Sequence, residues 1–195
     1  MKQGILIAST LVSSLALADT LKVDTAASRV EWKAGKKIGS FHNGDIKIKG
    51  GLIELDAKGG LKGAEIVVDM KTIANEDLTD PAYNKKLVGH LSSDDFFKVE
   101  QFPESKFVLR SMKQKGAKDE YEVTGDLTII GNTQPVSFPA KVSIEQGVLK
   151  GSGVITIQRL KWGLQYGSGS IFKSLTADKI INDTFELKLN IVAKK

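Results

Sequence analysis

Few residues in this chain have the type and spacing to do chemistry. There are two histidines, His42 in "GSFHNGD" and His90 in "GHLSSDDFF". Asp94 stands four residues after His90 and would share its face if a helix continued that far. One histidine and two aspartates could hold a cation, but local spacing supplies no third strong ligand, and the helix is expected to end near Ser92. A histidine hydrogen-bonded to backbone or to a nearby carboxylate is the simpler reading, so no metal site is assigned. Hydrolysis would need an activated Ser or Thr, and no Gly-x-Ser-x-Gly elbow joins a strand to a helix. "YGSGSIF" carries Gly167-Ser168-Gly169-Ser170 and reads as a bare tight turn rather than an anion nest. "GKKIGS" lacks the phosphate-loop spacing. The carboxylate pairs Glu76-Asp77 and Asp94-Asp95 lie in polar stretches and suit loops and helix caps. Cysteine is absent, which removes thiolate nucleophiles, thiolate metal sites and disulfides together. No catalytic residue and no cofactor is expected, and what remains is the apolar inventory.

That inventory is patterned. Val30 and Trp32 alternate with Arg29, Glu31 and Lys33, and Ile46 and Ile48 alternate with Asp45, Lys47 and Lys49. The same period of two runs through Ile66, Val68 and Met70, through Tyr121, Val123, Leu127 and Ile129, and through Val136, Phe138, Ala140, Val142 and Ile144. "TFELKLNIV" is the cleanest case, with Phe185, Leu187, Leu189 and Ile191 on one face. Gly-rich or polar breaks such as "AKGG", "KQKGAKDE", "GNTQP" and "EQGVLKG" separate the runs, as in sequential antiparallel hairpins. Pro135 and Pro139 each remove a backbone donor, so their strand is expected to be irregular or partly at an edge. One segment differs. Asp80 as N-cap, Pro81 in the first turn, and Tyr83, Leu87 and Leu91 at steps of four predict a short amphipathic helix from about Pro81 to Leu91. Eight or more such strands with one helix fit either a sandwich of two sheets or a closed antiparallel barrel. A barrel of eight strands is either filled by its own side chains or holds one small ligand.

The first residues are read separately. "MKQGILIASTLVSSLALAD" has an early lysine, an uncharged apolar run and the small pair Ala16 and Ala18, the pattern of a secretory signal peptide cleaved before Asp19. The run is shorter than the ~20 apolar residues of a membrane span, so no permanent membrane anchor is expected. The domain expectation is a signal peptide at 1–18 and one barrel domain at 19–195, with the mature protein soluble and periplasmic or secreted. The chain carries 28 Lys and Arg against 23 Asp and Glu. These charges are dispersed and mostly alternate with apolar residues, which fits solvated strand faces rather than a nucleic-acid footprint.

Five stretches taken together resemble the YceI-like family of polyisoprenoid-binding, lipocalin-like proteins of the bacterial envelope. They are "PAYNKKLVGHLSSDDFF", "FPESKF", "VTGDLTIIGNTQPVSFPAKV", "RLKWGLQYGSGSIF" and "INDTFELKLN", in order along nearly the whole mature chain. The resemblance implies an all-β fold, an extended eight-stranded antiparallel lipocalin-like barrel with a short helix and a long interior pocket. It implies a long-chain amphiphilic lipid, an isoprenoid or fatty-acid derivative, as partner, and homodimers. It places His90, Asp95, Phe96 and Phe97 at the helix-to-strand junction, Gly125 to Thr128 in a wall strand, and Gly131 and Pro135 at its turn. Here "GKKIGSFHNGD" stands where many members carry a Lys-His pair, so head-group specificity does not carry over.

The expected function is therefore non-enzymatic: an exported carrier holding a lipid tail inside the barrel. The rival is a protein-interaction or structural module with a side-chain-filled barrel. The lining residues expected are Trp32, Phe41, Ile46, Ile66, Val68, Leu127, Ile129, Phe138, Ile155, Trp162, Phe172, Phe185 and Leu187, with Leu87 and Leu91 closing one end.

Overall fold

The computed structural model describes residues 19–195, so the expected signal peptide lies outside the described residues. Ten strands and one helix follow in chain order: β1 Thr20–Val23, β2 Arg29–Gly35, β3 Phe41–Ile46, β4 Ile48–Leu55, β5 Leu61–Asp69, α1 Pro81–Ser92, β6 Glu104–Gln114, β7 Glu120–Ile129, β8 Asn132–Glu145, β9 Val148–Gln158 and β10 Thr184–Lys194. All pairings between strands are antiparallel. Both β1 and β2 pair with β10, at Val23↔Ala193 and at Arg29↔Asn190 through Lys33↔Glu186. They form one interrupted stave. The break is a turn in which Asp24 Oδ1 accepts from the Ala26 and Ala27 N–H groups, both at 3.1 Å. β3 and β4 form a second stave, divided only by Lys47. The sheet closes on itself as an eight-stranded antiparallel barrel. Closure removes the edges that a sandwich would leave, and it decides between the two architectures the alternation allows.

Alternation sets which side chains enter the barrel. Val30, Trp32 and Ala34 point inward from β2, Val123, Leu127 and Ile129 from β7, and Phe185, Leu187 and Leu189 from β10. Left-handed glycines make the tight turns at Gly59, Gly131 and Gly147. The two prolines mark a real irregularity. β8 pairs with β7 from Asn132 to Lys141, but with β9 only from Ala140 onward. Pro135 and Pro139 sit in the half without a β9 partner, and being four residues apart they miss their donors along the same edge.

The two ends differ. At the base, Leu21, Val23, Ile53, Leu55, Leu149 and Ala193 form a buried cluster. At the other end lie the long β5–β6 and β9–β10 connections. The first carries α1, whose N-cap Asp80 accepts from Ala82 N–H at 2.8 Å and Tyr83 N–H at 3.2 Å. Asn84 donates to the Asn75 and Leu78 carbonyls at 2.9 and 3.0 Å and fixes the helix across this end. The helix ends at Ser92, as expected, where the Ser93 N–H closes on the His90 carbonyl.

Candidate functional site

The barrel centre is not solid. An upper chamber of about 100 Å³ is lined by Trp32, Ile46, Val68, Met70, Leu91, Phe97, Ile129 and Phe185, among others. A lower chamber of about 130 Å³ is lined by Ile66, Phe107, Met112, Phe138, Gly151 and Ile155, among others. Val30, Val68, Leu127 and Leu187 belong to both walls and form a waist between them. Above the upper chamber a vestibule of about 610 Å³ opens, sharing Trp32, Ala34, Leu91, Phe96 and Ile181 with it. Vestibule, upper chamber, waist and lower chamber thus lie in line, from an open mouth toward the packed base. Apolar cavities of about 150 Å³ stay dry and admit a benzene-sized guest, so each chamber is on the scale of a short hydrocarbon segment.

The lower chamber owes its space partly to missing side chains. Gly151 and Gly153 occupy successive inward positions of β9. "EQGVLKG" reads as a break from sequence, but only Gln146 and Gly147 form the turn, and Gly151 belongs to the wall. A Cβ on Gly151 would meet nothing nearer than Ile191 and Leu149 at 3.9 Å, an ordinary contact.

Polar groups gather at the mouth. His42 and His90 both line the vestibule. His42 Nδ1 lies 2.8 Å from Asp77 Oδ2, and His90 Nε2 lies 3.0 Å from Asp95 Oδ2. Each histidine is thus held by a carboxylate. Burial works to raise the pKa of Asp77, but the Asn43 N–H, His42 and Asn75 outweigh it and hold the carboxyl below its usual range. The His90 ring stands edge-on to Phe96 at 5.0 Å and to Tyr166 at 4.7 Å. Among the described residues, no group of three or more His, Asp or Glu is placed to hold a metal ion.

One charge lies against the upper chamber. Arg159 is only 3% exposed. It donates to the Asn182 carbonyl at 2.8 Å, the Ile181 carbonyl at 3.2 Å, the Leu164 carbonyl, and Asp183 Oδ1 at 3.5 Å. Burial lowers its pKa and Asp183 opposes this. The guanidinium is used up in pinning the β9–β10 connection, which brings Leu164 and Ile181 into the chamber wall.

Most of the expected lining residues meet. Trp32, Ile46, Val68, Leu91, Leu127, Ile129, Phe185 and Leu187 face the upper chamber; Ile66, Phe138 and Ile155 face the lower one. Leu87 and Phe172 face the vestibule. Two do not join them. Phe41 is 57% exposed and lies outside the barrel with Lys33 Nζ 5.4 Å from its ring centre. Phe41 and Ile46 are five residues apart, an odd number, so on one regular strand they cannot share a face. Trp162 is 1% exposed but lines neither chamber nor vestibule. It follows β9 in a short 3-10 turn, and its indole N–H donates to the Leu127 carbonyl at 3.0 Å. Its own carbonyl accepts from Asn132 at 2.8 Å, so it closes the wall beside the unpaired half of β8. Sequence reasoning also missed lining residues. Ile73, Phe97, Leu164 and Ile181 come from connections without a period of two, whereas Met70 was accessible because it continues the parity of Ile66 and Val68. Phe107, Leu109 and Met112 come from β6, where a bulge between Leu109 and Ser111 breaks the parity. Val30 and Leu189 were accessible, since they share parity with Trp32 and Leu187.

The model of the YceI-like domain matches residues 21–193, nearly all of the described chain. The chain belongs to the YceI-like family. A UPF0312 protein of Pseudomonas putida (strain W619) is 35% identical over 132 residues, covering 67% of this chain and 65% of that protein. A UPF0312 protein of Pseudomonas syringae pv. syringae is 38% identical over 101 residues, covering 52% of this chain and 49% of its own length. This chain thus spans 65% of the length of the Pseudomonas putida relative it matches. The crystal structure of Burkholderia cenocepacia BcnA superposes with a TM-score of 0.67 at 26% identity, covering 88% of this chain and 99% of that one. The Campylobacter jejuni YCEI protein superposes with a TM-score of 0.55 at 17% identity, covering 100% and 93%, and shares the fold. The YceI-like barrel is thus seen in this chain with its interior chambers in line behind an open mouth.

Proposed function

We propose that this YceI-like protein is an exported carrier of a long-chain amphiphilic lipid, an isoprenoid or fatty-acid derivative, and that it performs no catalysis. The observation that carries the proposal is the pair of apolar chambers in line behind an open vestibule. The tail enters through the vestibule, fills the upper chamber, passes the waist by side-chain rotation at Leu127 and Leu187, and ends in the lower chamber. The polar head stays in the vestibule, where the lining turns from almost entirely apolar to mixed, with Lys36, Ser40, His42, His90 and Lys179. Transfer of each methylene from water contributes ~0.8 kcal/mol, so a tail of about ten carbons contributes roughly 8 kcal/mol before several kcal/mol of lost freedom are subtracted. No charged clamp is required, and chain length governs affinity more than head-group identity. Export rests on the apolar leader and its cleavage near Ala18, which N-terminal sequencing of the mature protein tests.

Native mass spectrometry after gentle purification tests the carrier. A co-purifying lipid, or stoichiometric uptake of a fluorescent fatty acid by the stripped protein, is expected. A clean apo mass with no uptake would point instead to an interaction module. The same spectra report whether the protein is the homodimer that the family resemblance implies.

A further inference from the structure

The vestibule is framed by two connections that lie side by side. The β2–β3 turn and the β9–β10 connection are joined by Lys37 N–H to the Ile180 carbonyl at 2.8 Å and by Asn182 N–H to the Gly35 carbonyl at 2.9 Å. Together they carry an unusual surface. Among the described residues nine large apolar side chains are exposed; four of them, Ile38, Tyr166, Ile171 and Phe172, stand on these two segments and a fifth, Phe41, is the β3 residue at the end of the turn. A sixth, Tyr83, lies on α1 one turn before the vestibule residue Leu87. The other three are on the outer faces of strands.

The charge is equally concentrated. Segments 33–41 and 161–181 hold six lysines and one acidic residue, Asp178. That excess equals the formal net charge of the whole chain, +5, so all the other residues balance to zero. Lys36, Lys37, Lys173 and Lys179 are exposed and form no ion pair among the described residues, nor do Lys22, Lys33, Lys62, Lys113 and Lys150 on the strands, so what sets these four apart is their gathering at the mouth. Aromatic and aliphatic side chains interleaved with unpaired lysines match the two layers of a membrane surface, acyl carbons beneath and anionic head groups above. A protein partner would have to match the rim's shape, but a bilayer needs only this chemistry and this position around an opening.

We infer that this rim docks the barrel mouth-down on an anionic lipid bilayer, so that a lipid passes between bilayer and vestibule without crossing water. The inference rests on the carrier reading for its purpose. Ile38, Phe41, Ile171 and Phe172 enter the head-group region, and the lysines hold the surface charge. Docking is reversible and weakens with salt, because lysine attraction acts only within about a Debye length, roughly 8 Å at physiological ionic strength.

Co-sedimentation of the full mature protein with vesicles tests this, using phosphatidylglycerol in phosphatidylcholine against phosphatidylcholine alone. Two double variants use rim residues that do not line the vestibule: Lys37→Glu with Lys173→Glu, and Ile38→Ser with Ile171→Ser. The unaltered protein is expected to bind anionic vesicles at low salt and release them at high salt. The lysine variant is expected to lose at least about tenfold in partitioning. The apolar variant is expected to fall several-fold. The apolar variant is expected to keep the melting temperature, the lysine variant to stay folded with a slightly lower one because Lys173 faces Asp183, and both to take up a monomeric fluorescent fatty acid from solution as before. Equal binding to neutral and anionic vesicles, or unchanged binding by both variants, overturns the docking. Loss of self-association by the apolar variant in sedimentation velocity, with vesicle binding unaltered, overturns it in favour of a contact between copies. Failure of monomer uptake with vesicle binding intact overturns the carrier reading and supports docking on its own.

Discussion

At the scale of single residues, two glycines have opposite roles. Gly44 faces inward from β3 against the 73–77 segment, and a Cβ there would stand 1.8 Å from the Ala74 carbonyl oxygen. That carbonyl also accepts from the Trp32 indole at 3.0 Å, so it is not free to retreat. Gly44→Ala is expected to cost about 1–3 kcal/mol, read as a lower urea midpoint. Gly151 has room, and Gly151→Val is expected to fold with unchanged stability while filling part of the lower chamber. A series of fatty acids of increasing length would then show a shorter optimum for the variant, and an unaltered optimum would remove the lower chamber from the tail's path. Asp183 gives a pH dependence. Burial works to raise its pKa, but the Ser168 and Ser170 hydroxyls, Arg159 and Lys173 outweigh it, and the carboxyl titrates below its usual value. A depressed folded pKa contributes stability that is complete above the unfolded value, about 4, and is lost as pH falls through the folded one. Asp183→Asn is expected to flatten stability against pH on the acid side, measured by denaturant midpoints, while leaving Arg159 one acceptor poorer in charge.

At the scale of elements, the waist decides how far a tail reaches. Val30 from β2, Val68 from β5, Leu127 from β7 and Leu187 from β10 come from four staves, so backbone motion in one strand cannot open it. Side-chain rotation is the cheaper route, since chambers above and below leave space on either side. Leu187→Ala is expected to merge the chambers, to speed uptake of long chains in stopped-flow fluorescence, and to cost about 2–3 kcal/mol. The cost lies at the low end of such truncations because the side chain already borders voids. The β9–β10 connection works differently. Four acceptors around one buried guanidinium fix its course, and it supplies wall to the upper chamber and rim to the mouth.

At the scale of the whole molecule, an interior left partly empty lowers stability, because wall atoms facing a void lack partners. A lipid that fills the chambers restores those contacts and binds only the folded state. At a free concentration of 100 times Kd it adds about 2.7 kcal/mol, which for a domain of this size raises Tm by roughly 5–10 °C. Stripping bound lipid from the purified protein is therefore expected to lower Tm by this order, and re-adding it to restore the value, in differential scanning fluorimetry. Equal melting with and without lipid would speak against occupation of the barrel.

The sequence by itself determined most of the strands, the inward faces of β2, β7 and β10, and the helix with its cap. Alternation of apolar and charged residues is a local property that any antiparallel wall must satisfy, and Asp80-Pro81 is a local signal for a helix start. It also carried the family resemblance through motifs at the helix-to-strand junction and the β7–β8 hairpin. Only the tertiary structure decided that the barrel keeps space inside, because a void is the difference between the volume that eight staves enclose and the volume that side chains from distant strands fill. The same holds for Phe41, turned outward by parity, for Trp162, drawn into the wall by the gap beside β8, and for the gathering of the chain's net charge at the mouth, where segments more than a hundred residues apart become neighbours.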